Sequence, residues 1–443
     1  MTIAPVPIDF ALAFGAAGRE PEAYTTFWRE LADACTDERL EFPHAVHVVE
    51  VPRYGSLRAD ALLRPLHLVA GTLAPDTLPI DVPTELADLW ARVDTVEFRL
   101  YDHGVTVVEL GAEVADWLGA GDTGPGERLD ALQDGIIRLT GLAAGAVVQH
   151  VLQPLLDQAR SRDPDGSILL WEDDTWHTTG PRWVSRSLVL DLDEPGTGEL
   201  ARHWLADVGD APVDALLAQE TDHVSTWLNY VHLGHRADVR TELAATTVEN
   251  WRGMRYAQYF YAALDLVDDR LNGVLAQTTQ GRRAWELAEL TESLRTLSHR
   301  AELVMLDLQD LRKYVTRQVR TEMDGILDAW HYGHLVEEPV KFKISICDRR
   351  LAELATGAQS RAGTVTDIIL LGIGVTSVLA TALALTEFGR GVATDPDQAG
   401  FGSRSGLTEW FASQSADAIL VGSLVVSALL VVLFWAVRRS GSS

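Results

Sequence analysis

Apolar and polar positions follow three rhythms along this chain, and each predicts a different kind of element. The first is strand-like and dominates residues 1–193. Residues 10–14 form an apolar block closed by Gly15, and 46–51 a β-branched run closed by Pro52, as buried strands do. Over 95–101, Val96, Phe98 and Leu100 turn inward and alternate with Glu97 and Arg99, which turn outward. Asp102-His103-Gly104 supplies turn chemistry and 105–110 returns, which predicts a hairpin. Phe27, Leu31 and Ala34 share one face of a helix expected over 22–34, and a long helical stretch is expected over 127–160. Further strands are expected at 168–171 and 183–192. The predicted fold is α+β: a cytosolic mixed α/β domain, 1–193, with a mixed sheet and flanking helices.

The second rhythm is helical. Strand signals stop at the turn-rich segment 193–198, and 199–363 reads as a helical bundle or stalk with breaks near Gly234, Thr278 and Pro339. A proline lacks the backbone N–H and clashes with the preceding turn, hence the last break. From there the chain runs toward the first apolar span with no strong breaker except Gly357 and Gly363. Leu287, Leu290, Leu294, Leu297, Ala301, Val304, Leu308, Leu311 and Val315 alternate spacings of three and four. That is a heptad seam, the pattern of left-handed supercoiled packing. Its cover is either the helix expected over 237–275 or the same helix of a neighbouring subunit.

The third rhythm is an absence of polar punctuation. Residues 368–386 and 418–437 are two apolar runs without a charged side chain. A helix of about 20 residues crosses the roughly 30 Å hydrocarbon core, where backbone groups have only one another to bond. Two transmembrane helices joined by an extracytoplasmic loop, 387–417, are therefore expected. Lys341, Lys343, Arg349, Arg350 and Arg361 precede the first run and Arg438 and Arg439 follow the second, whereas the loop holds only Arg390 and Arg404. Positive-inside bias places both termini in the cytoplasm. No secretory signal is expected at the N-terminus.

Composition refines this picture. The two cysteines lie far apart without metal-ligand spacing, so neither a disulfide framework nor a zinc site is expected. The scarcity of lysine and asparagine beside plentiful arginine suggests a high-GC bacterial genome, and the expected location is the bacterial inner (cytoplasmic) membrane. The net charge of −27 argues against a nucleic-acid partner.

Candidate chemistry is sparse. Glu172, Asp173 and Asp174, with His177 and the tryptophans 171, 176 and 183 nearby, form the densest acidic loop. Such oxygens suit a hard cation, and a solvated turn is the alternative. His331 and His334, near Glu337 and Glu338, have the spacing at which two imidazoles on a helix share a metal; helix-end capping is the alternative. His232 and His235 repeat that spacing, and His44 and His47 approach a strand. There is no P-loop, no Rossmann fingerprint, no G-x-S-x-G elbow and no H-E-x-x-H. No catalytic residue and no cofactor are expected. Gly372, Thr376, Ala380 and Ala384 form a small-residue stripe suited to close helix approach, with a pore lining of Thr376, Ser377 and Thr381 as the alternative.

The order of elements, a cytosolic mixed α/β domain, long helices, two C-terminal spans and a short basic tail, resembles the CorA-type divalent cation transporter superfamily. The resemblance is one of architecture. The Gly-Met-Asn motif that carries ion selection in that family is absent: Phe388-Gly389-Arg390 stands at the end of the first span, and the three asparagines, Asn229, Asn250 and Asn272, all precede the spans. The expected function is a membrane-anchored scaffold or sensor, non-enzymatic, forming a homo-oligomer and binding a cytosolic protein partner. A divergent CorA-like cation channel is the alternative.

Overall fold

A computed structural model describes residues 2–7, 21–36, 46–51, 64–101, 103–114, 125–164, 180–191, 194, 196–221, 223–234, 242–278 and 284–394, with separate positions between 410 and 429. The chain divides into two compact units, one of Met1–Gly281 with Glu289–Arg349, the other of Arg282–Ala288 with Arg350–Ser443.

The elements run β1 (Thr2–Pro7), α1 (Pro21–Thr36), β2 (Val46–Val51), β3 (Arg64–Leu73), the short α2 (Ala87–Trp90), β4 (Val93–Tyr101) and β5 (Val105–Ala112). Then come α3 (Pro125–Val147), α4 (Gln153–Arg162), β6 (Ser185–Asp191), α5 (Thr197–Trp204), α6 (Asp210–Leu217), β7 (His223–Ser225) and β8 (Asn229–Gly234). The remainder is helical: α7 (Glu242–Thr278), α8 (Ala284–Tyr314), α9 (Arg317–Ala329) and α10 (Glu338–Thr394). The fold is α+β, as expected.

The first unit is built on an eight-stranded sheet of order β2-β3-β4-β5-β1-β6-β8-β7. All neighbours are antiparallel except β6 and β8. The expected hairpin is present, with Tyr101 opposite Val105 and Phe98 opposite Val108. β2 occupies the residues expected of it, whereas β1 and β3 escaped the pattern. The expected strands at 10–14 and 168–171 lie outside the described residues.

Pairing register decides what each sheet face carries. Val96, Phe98, Leu100, Val108 and Leu110 share a core with Leu188, Leu190, Val231 and Leu233, closed by α1, α3 and α4 through Trp28, Leu31, Leu139, Val147 and Leu155. Gly126–Arg162, which contains α3 and α4, is long and apolar enough to cross a membrane, but 61% of its most apolar window is buried, which makes it a core helix. The 368–386 and 418–437 runs lie only partly within the described side chains.

Two expectations are corrected. Strand pairing does not stop at 193: β6 runs parallel to β8 across the supposed boundary, and both lie in one unit. The start of α5 is held by Gly196, whose φ of +89° favours glycine, and by Thr197 Oγ1, which donates to the carbonyls of Asp191 (2.5 Å) and Glu194 (2.9 Å). Trp204 Nε1 then donates to the Tyr230 carbonyl at 2.9 Å, fixing α5 to β8. Pro339 does not break a helix either. A π-helical stretch, Gly333–Glu337, runs directly into α10 and takes up the proline at its second residue, and the break falls at Trp330–His331.

The seam residues from Leu290 to Leu311 are all buried within one chain, so no second subunit is needed to cover them. α10 is helical without interruption from Glu338 to Thr394.

Candidate functional site

The sheet face opposite the apolar core is polar and lies under α7. Cross-strand register puts Glu97, Arg99, Tyr101 and Glu109 on it at one end, and Ser185, Ser187, Tyr230, His232 and His223 at the other. Glu97 and Arg99, expected to face solvent, are partly buried here because their charges are paired.

Glu109 is 3% exposed and saturated. Its Oε1 accepts from Arg99 Nη1 at 2.6 Å and from Arg255 Nε, and its Oε2 from Arg255 Nη2 at 2.8 Å and Trp251 Nε1 at 2.6 Å. Burial alone raises its pKa, but Arg255 and Arg99 outweigh burial and hold the carboxyl below its usual range. Beside it Tyr101 stacks on Tyr259 with centroids 3.9 Å apart. At the β4–β5 turn, buried His103 meets Asp307 of α8 at 3.0 Å, and buried Arg300 donates to the His103 carbonyl. These are clamps: each pins a helix to the sheet through groups that satisfy one another.

The other end differs. Glu322 of α9 is 4% exposed, and its Oε2 lies 2.6 Å from His223 Nε2. Its Oε1 has no hydrogen-bond partner. His223 is 30% exposed and stacks on buried His232 with centroids 5.7 Å apart. The Tyr230 hydroxyl faces Ser185 and Gln258 and feels the Glu322 charge, yet it closes no hydrogen bond of standard geometry. Burial, reinforced by Glu322, pushes this phenol well up, so it remains a neutral donor. Gln258 Nε2 donates to Ser185 Oγ at 2.5 Å, and Trp183 Nε1 donates to Gln258 Oε1. The serine hydroxyl is thus engaged by an amide, which favours binding over nucleophilic attack.

Two sequence features make this geometry. Gly253 lets α7 approach α9 closely: a Cβ there would stand 2.7 Å from both Glu322 Cβ and the Val319 carbonyl. Thr316 caps α9 by accepting from the Val319 N–H at 3.3 Å. Alongside lies an aromatic cluster in which Tyr261 meets Trp183 (5.5 Å), Trp227 (5.8 Å) and Trp330 (5.3 Å) nearly edge-to-face. One helical turn beyond Tyr261, burial raises the pKa of Asp265, opposed by Arg182 at 2.9 Å.

The sites expected from sequence do not converge. His331 sits in a turn with φ +49°, and His334 is exposed and bonds Glu338 at 3.1 Å. Among the described residues no three His, Cys, Asp or Glu side chains come together as metal ligands. A turn at His331 destroys the helical spacing on which the pairing with His334 depended. Glu172, Asp173 and Asp174 lie outside the described residues. Of the histidine pairs, His232 joins the cluster, but with His223 across the strand pair; His235 is not described. Glu322, Tyr230 and Gln258 carried no motif. The signal that could have found Glu322 is a carboxylate inside the apolar spacing of Val319, Met323 and Ile326. Comparison with protein-family models, with curated proteins and with solved structures gives no match.

Proposed function

We propose that the chain is a membrane-anchored sensor or scaffold: an α+β unit carrying a buried polar recognition cluster, held at a bilayer by its C-terminal apolar helices. One observation carries the reading. Leu370 (60%), Ile373, Leu383, Val421, Leu424 (61%), Val425 and Leu429 (63%) are large apolar side chains that the chain itself leaves uncovered, in two stretches without a charged residue. An apolar surface of that extent needs a cover, and hydrocarbon suits helices whose backbone groups are already paired. The basic flanks favour cytoplasmic termini.

Fractionation of cells making the full-length protein tests this. The protein should stay in the pellet through alkaline carbonate, and Ser403→Cys should react with an impermeant maleimide from outside intact cells. Cys35 and Cys347 are both buried and give little background. Recovery in the carbonate supernatant overturns the anchor, and labelling only after lysis overturns the orientation. Divalent-cation flux through the purified protein in liposomes would favour the CorA-like channel instead.

A further inference from the structure

We propose that the segment around Trp410 is an interfacial foot, a short helical turn that lies in the phospholipid headgroup layer and sets the depth of the second apolar helix. The inference rests on the anchor reading and deepens it. It starts from a break in the chain. Trp410 and Ser413 are helical, and Ser413 Oγ donates to the Trp410 carbonyl at 2.8 Å. Gln414 and Ser415 leave the helix, and Asp417 and Ala418 are helical again. The Ala418 N–H donates to the Ser415 hydroxyl oxygen at 3.2 Å and to the Ser415 carbonyl at 3.1 Å. Ser415 thus caps a new helix, and Trp410 does not belong to the helix of Ala418.

Length places this turn against the bilayer. The apolar run begins at Ala418, three residues past the cap. With Ala418 at the edge of the hydrocarbon, Ser415 stands about 4.5 Å above it, inside a headgroup layer of roughly 5–8 Å on each side. Trp410 is 57% exposed, an unusual state for a side chain that is highly buried on average. In the sequence, Leu407, Trp410 and Phe411 have the spacing of one helical face, and Thr408 and Glu409 fall off it. The headgroup layer suits an indole, which keeps its ring in the apolar margin and its N–H among water and ester oxygens. Phe434 and Trp435, close to Arg438 and Arg439, stand at the other end of the same run. Charge decides the kind of lipid. Arg404 is the one basic residue of 400–417, against Glu409 and Asp417, so nothing here draws an anionic headgroup. The contact is apolar and indifferent to headgroup charge.

The test uses the full-length protein in phosphatidylcholine nanodiscs, where both faces are open to water. Tryptophan fluorescence is measured with lipids carrying a nitroxide near the headgroup or near the bilayer centre, and with iodide in the water. The chain has 13 tryptophans, so the signal is the difference between wild type and Trp410→Phe. That difference should lose more intensity to the shallow nitroxide than to the deep one or to iodide, and the loss should not change when phosphatidylglycerol replaces part of the lipid. Loss to iodide alone would mean that the segment stands in water. Loss to none of the three would mean a protein cover, a second copy of the chain included. Either result overturns the proposal. Ser413→Cys carrying a nitroxide gives a second reading if the first variant inserts poorly: dissolved oxygen should relax it more than a water-soluble nickel chelate, and the reverse order overturns the proposal. Recovery of the protein in the carbonate supernatant sinks the anchor reading and this one with it, whereas retention in the pellet together with quenching by iodide alone sinks this one only.

Discussion

Glu109, on the sheet, and Glu322, on α9, are equally buried carboxylates beside α7, and they are satisfied very differently. Glu109 accepts four hydrogen bonds from two arginines and a tryptophan; Glu322 has one imidazole and an open oxygen. Burial does not separate a structural charge from a receptive one. The count of lone pairs met by the protein does, because every unmet one is a demand for something from outside.

That contrast can be broken by substitution, beginning where the effect is greatest. Glu109→Gln leaves Arg255 without its counter-charge and Arg99 with Glu97 alone, and should cost about 3–5 kcal/mol in urea unfolding. The same clamp has a pH signature. Because its carboxyl is held below the usual range, its contribution is complete above an unfolded value of about 4.3 and is lost as pH falls through the folded value. Wild-type protein should lose stability on acidification across that window, and Glu109→Gln should lose less of it.

Gly253→Ala should cost about 1–3 kcal/mol, since the added carbon forces α9 away from α7 and carries Glu322 with it. Glu322→Gln, by contrast, should cost less, about 1–2 kcal/mol, because it loses one imidazole partner and not a network of arginines and a tryptophan. A loss as large as that of Glu109→Gln would erase the distinction between the two carboxylates. Smallest of all, Tyr230→Phe should change stability by about 0.5–1 kcal/mol, as the hydroxyl it removes is held only weakly by Ser185 and Gln258.

Alternation made one face of the sheet legible. Val96, Phe98 and Leu100 face the core as their spacing requires, and β2 follows its β-branched run. The opposite face was misread for a physical reason: Glu97 and Arg99 look solvent-exposed in sequence because Arg99 pairs with Glu109, which in turn is held by Arg255 146 residues further on, and that network leaves no local trace. β1 was hidden by its prolines, which ordinarily argue against a central strand. The structure accommodates them. The Pro5 carbonyl accepts from the Arg182 N–H at 2.9 Å, so the missing Pro5 N–H falls on the side where pairing with β6 has ended beyond Ile3. β7 and β8 were missed because three- and six-residue strands between helices give too short a run for a period to emerge. The candidate site was almost wholly illegible, since it joins three strands, α7 and α9 through side chains that no spacing connects.

Of the sheet's strands β1 comes earliest in the chain, yet it lies between β5 and β6. Its two neighbours do not exist when it is made. At about 5–20 residues per second of synthesis, Val105–Ala112 follows roughly 5–20 s later and Ser185 roughly 10–40 s later. The strands β2 to β5 and β6 to β8 can each pair among themselves in that order of arrival, but only Thr2–Pro7 joins the two groups edge to edge. Thr2–Pro7 can therefore pair with β5 well before β6 is made, and until β6 arrives its other side is an open sheet edge.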